Sequence, residues 1–442
     1  VNPLHCIHHE KWHLCCIYIF KILKPFDLIV IGAGASGLIA AGRASELGAR
    51  VLVVERNKVA GRKLLITGKG RCNITNDAEW DEYKKNISPD PKFFRHSYMR
   101  FGPANMVELL ERLGLETKVE RGGRIFPQSD KSLDVVQCLE NWAKRNKCEF
   151  LFHSKAISLV SDENSVRGVL VQNATESFTL HASNILLAGG GKSYPATGSD
   201  GSAYRLAQGV GHSVTQLHPA LVPLETQGDI AAKLQGLGLK NVSASLWVNG
   251  KKTSEEFGEM IFTHFGLSGP IILTLSRQAA IALRENKQVE ISIDLKPALD
   301  EKKLDTRLLR DLNENGNKKI VNLIRQWLPA TLGEIFLEIN AIDSDLQANQ
   351  MGSLARRNLM LMMKNFRFRI SGHRPFKEAI ITAGGIPTNE IDPKTMQSKL
   401  MKGLFIAGEM LDLDANTGGF NLQIAWSTGW VAGEAATAIK GT

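Results

Sequence analysis

Three glycines and one carboxylate carry the first legible chemistry of this chain. Gly32, Gly34 and Gly37 are spaced G-x-G-x-x-G, and Glu55 follows about 20 residues beyond the loop. In such a loop the first glycine permits a tight turn, the second lets backbone approach a pyrophosphate, and the third lets helix and strand pack closely. The helix behind it offers unpaired N–H groups and a positive dipole end. Glu55 stands where an acid accepts hydrogen bonds from an adenosine ribose. The pattern fits a dinucleotide, with FAD and NAD both open.

A second polar set follows in Thr67–Asn76, TGKGRCNITN, after Gly61-Arg62-Lys63. Arg62, Lys63, Lys69 and Arg71 bring positive charge towards a pyrophosphate, and Asn73 and Asn76 carry amides suited to an isoalloxazine edge. A solvated basic loop is the bland alternative. Three further glycine turns lie downstream: Ala188-Gly189-Gly190-Gly191, Thr382-Ala383-Gly384-Gly385 and Gly408-Glu409, the last followed by Asn416–Asn421, NTGGFN. NAD alone leaves these turns unexplained, whereas FAD spans adenosine, pyrophosphate, ribityl and flavin. Groups able to move a proton or react as a thiol are His264, Tyr194 and Cys72. His264 is flanked by aromatics and reads more readily as a core residue, and Cys72 as simple packing.

The elements that must position these residues are readable from apolar pattern. Leu28–Ile31 and Arg50–Val54 read as strands, with Leu38–Leu47 as the helix between them. Asp90–Lys147 is mainly helical, with Met106–Leu113 and Leu133–Trp142 amphipathic around a turn-rich Arg121–Ser129. Glu149–Val160, Ser165–Gln172 and Ser177–Leu180 alternate like a meander, and Asn184–Leu187 is a buried strand. From about Gln216 the pattern turns to short strands, including Ala244–Val248 and Gln288–Ile293, with a helix at Ile271–Ala282. Glu301–Phe366 reads as short helices, broken at Pro329 and Asp343. Gly403–Ala407 is a late strand, and Leu422–Ile439 a helix of small residues.

The 442 residues allow two or three domains, and 43% hydrophobic with 22% charged residues describes a globular chain with a sizeable core. Six scattered cysteines, none in C-x-x-C, favour a reducing compartment, with the cytoplasm as the default. Leu14–Phe20 is far short of a membrane span. His5, His8, His9, His13 and Cys6 lack a fixed geometry, so no metal site is expected and residues 1–25 are taken as peripheral. The net charge of +9 suits an anionic partner or cofactor. Ser353–Lys377 interleaves Arg356, Arg357, Lys364, Arg367, Arg369, Arg374 and Lys377 with Phe366, Phe368 and Phe376, a pattern that can mark RNA binding. The period-two alternation of Phe366–Ile370 is better explained by a strand with a buried phenylalanine face.

Taken together, GAGASG, Glu55, GRKLLITGKGRCNITN, AGGGKSYPATGSDG, FTHFGLSGP, ITAGGI and GEMLDLDANTGGFNLQIAWSTG resemble the BaiN/YhiN-like FAD-dependent oxidoreductases, from about Phe26 to Ala438. The resemblance implies an α/β, Rossmann-like FAD-binding domain of the two-dinucleotide-binding type, built from both chain ends. It implies an inserted β-barrel-like domain and a small α-helical domain. The expected divisions are 26–215 and 378–442 for FAD, 216–300 and 365–377 for the barrel, and 301–364 for the helices. It carries FAD contacts to Gly32, Gly34, Ser36, Gly37, Glu55, Arg56, Arg62, Gly70, Cys72, Asn73, Ala156, Ala188, Gly189, Gly408, Glu409, Gly419, Phe420 and Asn421, with Ala156 on a strand passing adenine. One type of family member reduces an oxidised bile acid, but a substrate does not transfer with a fold. The expected activity is a reductase passing hydride from NAD(P)H through the flavin to a small unsaturated or carbonyl compound, with no residue singled out as catalytic. No second complete G-x-G-x-x-G unit is evident, so the nicotinamide donor is expected to bind transiently. The alternatives are a flavin-dependent RNA-modifying enzyme and a flavin-binding sensor without turnover; oligomeric state stays open.

Overall fold

The computed structural model describes residues 25–438. His5, Cys6, His8, His9 and His13 lie outside the described residues. Among the described residues, those up to His218 and from Ile381 onward form one compact unit, and Pro219–Ile380 forms a second.

The first unit is laid on the strand Phe26–Ile31, buried at every position except Asp27. A strand covered on both faces reads as a continuous apolar run, as Leu28–Ile31 does. It pairs in parallel with Val51–Val54 on one side and with the second half of Ser177–Leu187 on the other. The helix Ala35–Glu46 makes the crossover to Val51–Val54. The seven-stranded sheet runs Glu149–Leu151, Val51–Val54, Phe26–Ile31, Ser177–Leu187, Val166–Gln172 and Lys155–Ser161, with Leu404–Ile406 also paired to Ser177–Leu187. The chain leaves the first strand towards one side and returns on the other. Such a switch point opens a crevice at the carboxyl end of the strand, where α/β sheets bind ligands.

Two expectations change here. Ser177–Leu180 and Asn184–Leu187 are parts of one 11-residue strand. Its first half is antiparallel to Val166–Gln172 and its second half joins the parallel sheet. The turn-rich Arg121–Ser129 contains a strand, Arg124–Pro127, paired with Thr117–Glu120 and Thr75–Asn76. These strands are too short to show a period of their own.

The helix Phe420–Ala438 lies along Ala35–Glu46, and small residues make the close approach possible. A Cβ at Gly429 would stand 2.4 Å from the Ser36 carbonyl oxygen, and one at Gly433 would stand 2.6 Å from that of Ala40. Glu434 ties the helices together, accepting from Arg43 at 2.6 Å and from Arg100 at 2.7 Å. Phe101 stacks on Trp430 with ring centroids 4.2 Å apart.

The second unit contains a closed six-stranded barrel of Leu224–Thr226, Gly266–Ser268, Lys251–Thr263, Gly238–Val248, Val289–Asp294 and Phe366–His373. Its helices include Pro270–Arg284, Glu301–Glu314, Ile320–Trp327, Ala330–Ile339 and Ser353–Lys364. Phe366, Phe368 and Ile370 are buried while Arg367 and Arg369 are exposed, the alternation expected of a half-buried strand. Acids meet much of the basic stretch: Asp305 holds Arg356, Asp294 holds Lys364, Glu290 holds Arg367, and Glu225 and Glu378 hold Arg374. His264 is not a core residue; it is exposed in the tight turn between Lys251–Thr263 and Gly266–Ser268, edge-on to Phe265. Among the described residues no helix is long and apolar enough to cross a membrane.

Candidate cofactor and active site

The site is assembled at the carboxyl end of Phe26–Ile31. Gly32 turns the chain at φ +102°, and a Cβ there would lie 2.6 Å from the Ala188 carbonyl oxygen, so the two glycine turns are in direct contact. At Gly34 an added Cβ meets nothing within 4 Å. This glycine is therefore not required by packing, which fits a backbone left open to a ligand. The helix Ala35–Glu46 begins with no acidic residue in its first turn and no side-chain cap, so no side chain competes with an anion for its N–H groups.

Glu55 ends the neighbouring strand and is 8% exposed. One carboxylate oxygen accepts from Ala33 N–H at 2.8 Å, and the other from the Asn57 backbone and side-chain amides at 2.8 and 2.7 Å. The carboxylate is thus pinned to the glycine loop, with lone pairs left on Oε2 for a ribose hydroxyl. Ser154 N–H donates to Glu55 O and His153 N–H to Asn57 O. That contact carries the chain past Glu55 into Lys155–Ser161, where Ala156 is half-buried.

The loop after Ala188 and Gly189 folds over the same end. Arg56 pairs with Asp200 at 2.6 Å, and Asn57 Nδ2 donates to Thr197 O. Burial opposes ionisation of Asp200, but the Ser202 hydroxyl and the Arg56 guanidinium hold its carboxyl down to about 2. Ser199 Oγ is buried without a hydrogen-bond partner among the described residues. Tyr194 takes a left-handed backbone conformation at φ +52°. Tyr194 joins Ser193, which bonds Lys63 and Glu409, to Thr197 and Gly198, which lie against Asn57.

The carboxyl-terminal segments supply the other half. Gly408 follows the strand Leu404–Ile406, and a Cβ on it would come 2.5 Å from Ser36 Oγ in the first helical turn. Glu409, next in sequence, accepts from Lys63 Nζ and Ser193 Oγ at 2.6 Å each and from Thr382 N–H at 2.9 Å. Gly419 touches the Thr75 carbonyl, and Phe420 opens the final helix edge-on to Tyr83. Asn421 spends its amide on Ala415, accepting at 2.8 Å and donating at 2.6 Å. Its side chain therefore shapes the turn.

In Thr67–Asn76 the roles divide. Lys69, Gly70 and Cys72 are left-handed, at φ +59°, +84° and +61°. Cys72 is fully buried, and burial pushes its thiol up to about 12 against a hydrogen bond from Thr67. It is a packed thiol, not a poised thiolate. Arg71 turns away to Glu120 and Asp130 and stacks over Phe126. Arg62 donates to Asn57 Oδ1 at 3.1 Å. Asn76 spends its amide on Gly122 O, Gly418 O and Ala78 N–H, whereas Asn73 Oδ1 is buried and unpartnered among the described residues. Of the two asparagines, Asn73 alone keeps a buried acceptor for a ligand. Sequence reading missed Ser193, Thr382 and Asn57 as members of the site, although the first two lie inside the AGGGKSYPATGSDG and ITAGGI segments.

Residues 26–435 match the family model described as the HI0933-like protein Rossmann domain. The chain is 33% identical over 409 residues to a 3-dehydro-bile acid delta(4,6)-reductase of Clostridium scindens, covering 92% of this chain and 98% of that protein. It is 29% identical over 419 residues to a ribosomal RNA dihydrouridine synthase of Escherichia coli, covering 95% of this chain and 100% of that protein. Among solved structures, a 3-ketosteroid delta1-dehydrogenase from Sterolibacterium denitrificans superposes with a TM-score of 0.54 at 15% identity, covering 94% of this chain and all of the other, which shows the fold. The glycine cradle, the pinned acid and the orphaned acceptors fit FAD, and the chain belongs to the HI0933-like Rossmann-domain family as an FAD-dependent oxidoreductase.

Proposed function

We propose that this protein is a reductase that saturates a carbon–carbon double bond conjugated to a carbonyl in a small molecule, with NAD(P)H as a transient donor. The observation that carries the reading is the convergence of both chain ends on one helix start. Gly408 meets Ser36 there, so early and late segments of the chain share one glycine cradle, which supports a cofactor held by both. FAD, when bound, supplies the redox chemistry by accepting a hydride and passing it to an electron-poor carbon.

The chain's own residues bind and orient. Glu55 fixes the adenosine end, the Gly34–Ser36 backbone holds the diphosphate, and the Gly408–Glu409 and Gly419–Asn421 turns with Asn73 hold the ribityl and flavin end. Both relatives above support the substrate class. A 3-oxo steroid with unsaturation at positions 4 and 6, and the uracil ring that becomes dihydrouridine, each present a double bond conjugated to a carbonyl. The free thiols Cys72, Cys138 and Cys148 support a reducing cytoplasm as the place of action.

The test is the oxidative half-reaction. Enzyme reduced anaerobically with dithionite is mixed with a cyclic conjugated enone, and separately with an isolated alkene. Reoxidation by the enone alone supports the reading. Reoxidation by neither, or equally by both, contradicts it.

A second reading, flavin-dependent modification of RNA, is favoured by the Escherichia coli relative. The acids paired with Arg356, Lys364, Arg367 and Arg374 weigh against Ser353–Lys377 as the RNA surface. If that stretch does bind RNA, affinity falls steeply with salt and charge reversal of Arg356, Arg357 and Arg367 abolishes it. Binding indifferent to salt, or absent, rejects this reading. A flavin-binding sensor without turnover would bind FAD tightly and resist reduction by either pyridine nucleotide.

A further inference from the structure

Glu409 presents a difficulty for a diphosphate site. It is a carboxylate directly after Gly408, which touches Ser36 in the first turn of the helix proposed to receive the anion. An uncompensated carboxylate ~6 Å from another anion costs about a hundredfold in an equilibrium constant at an effective dielectric near 20. The surroundings of Glu409 answer it. Lys63 Nζ donates to Glu409 Oε2 at 2.6 Å and to Ser193 Oγ at 2.6 Å, and Ser193 Oγ in turn donates to Glu409 Oε1 at 2.6 Å. Thr382 N–H donates to Oε1 at 2.9 Å, while Thr382 Oγ1 accepts the Lys192 and Ser193 N–H groups at 2.7 and 3.0 Å. The Lys63 and Glu409 side chains are 23% and 12% exposed. Gly191 closes the arrangement, since a Cβ there would fall 2.5 Å from Thr382 Oγ1 and 2.7 Å from Glu409 Oε1. Four segments far apart in sequence meet in one mostly buried network. Of an ammonium's three donors two are spent inside it, leaving one.

We propose that Lys63, Ser193 and Thr382 are positioning residues for the cofactor, holding Glu409 as a charge-neutralised, fixed carboxylate beside the diphosphate turn so that it does not repel the cofactor. This rests on the proposed placement of the diphosphate at Gly34–Ser36. The pair has no net charge, so the attraction for the diphosphate is left to the helix N-terminus. Removing Lys63 restores the repulsion, whereas removing both charges does not. Thr382 acts without charge, by fixing the Lys192–Ser193 backbone that presents the Ser193 hydroxyl.

The experiment measures FAD dissociation constants by titrating apoprotein, with the urea midpoint of the apoprotein measured alongside. Lys63→Met is expected to weaken FAD binding by about 30- to 300-fold, and Lys63→Arg by no more than about fivefold. The double variant Lys63→Met with Glu409→Gln is expected to recover at least about tenfold over Lys63→Met alone. Thr382→Val is expected to weaken binding by about tenfold, and it keeps the test available if Lys63→Met does not fold. A merely structural network would shift urea midpoints and leave the FAD constants of the folded variants within about threefold of the parent. That result, or a double variant no better than Lys63→Met, overturns the proposal. Glu55→Ala separates the two levels: if it too leaves FAD binding unchanged, the placement of the site fails rather than the role of Lys63.

Discussion

Glu55 braces the glycine loop through Ala33 N–H and keeps acceptor capacity on Oε2, which is the basis of the ribose role proposed for it. Charge-assisted hydrogen bonds contribute about 1.5–3 kcal/mol, so Glu55→Ala is expected to weaken FAD by roughly 10- to 100-fold in equilibrium titration. Unchanged affinity would remove the acid from the site. Cys72 makes the opposite case, a residue inside a functional loop whose own chemistry is suppressed. Burial raises the thiols of Cys72, Cys138 and Cys148 well above the ordinary thiol range, to about 12, 11 and 12. Above pH ~9 the unfolded chain loses these protons and the native state keeps them, so stability falls as pH rises. The expected slope is about 1.4 kcal/mol per pH unit for each thiol between the unfolded and folded values. Urea midpoints between pH 8 and 10.5 for Cys72→Ala against the parent check it: the variant should decline less steeply. Parallel declines would mean that Cys72 ionises in the native state as readily as in the unfolded one.

The glycines of the nucleotide elements separate packing from binding. Gly429 is a packing glycine, because its Cβ would meet a backbone oxygen of the facing helix. Gly429→Ala is expected to cost about 1–3 kcal/mol in urea unfolding. Gly34 has empty space around it and is the glycine proposed to bind the cofactor. Serine is at least as good as glycine at a helix N-cap, so Gly34→Ser should leave apoprotein stability within about 0.5 kcal/mol while weakening FAD at least ~10-fold. A stability loss without a binding loss would reverse the assignment.

The strand–loop–helix unit at Phe26–Glu46 was legible in the sequence because each of its signals is local: an apolar run, three spaced glycines, a small-residue helix. The same holds for Phe366–Ile370, where alternation alone predicts the buried phenylalanine face. Two kinds of feature were not legible. Thr75–Asn76, Thr117–Glu120 and Arg124–Pro127 are strands only through their mutual pairing, and segments of four and two residues have no period to read. Side-chain partners are set by tertiary contact: nothing local in the sequence says that Arg71 turns to Glu120 and Asp130, that Asn76 is used up within the protein, or that Lys63 finds Glu409 346 residues away. His264 read as core because aromatic neighbours suggest burial, but a two-residue turn exposes it.

At the scale of the molecule, each unit holds its own hydrophobic core. One is centred on the parallel sheet and its two long helices, the other on the barrel and the helices after it. A ligand stabilises the part that binds it by RT ln(1 + [L]/Kd), about 2.7 kcal/mol at a hundredfold excess over Kd. Calorimetry of the apoprotein is therefore expected to resolve two transitions, and FAD to raise the midpoint of one. A single transition that moves as a whole would show the two cores to be one cooperative unit.

The central claim, an FAD enzyme that takes electrons from a pyridine nucleotide, is tested most directly by its visible spectrum. The purified protein is reconstituted with FAD, freed of excess, and mixed anaerobically with NADH or NADPH. The prediction is an oxidised-flavin band that stays with the protein and bleaches with at least one of the two nucleotides. A band lost on gel filtration, or one that stays oxidised with both donors, would contradict it.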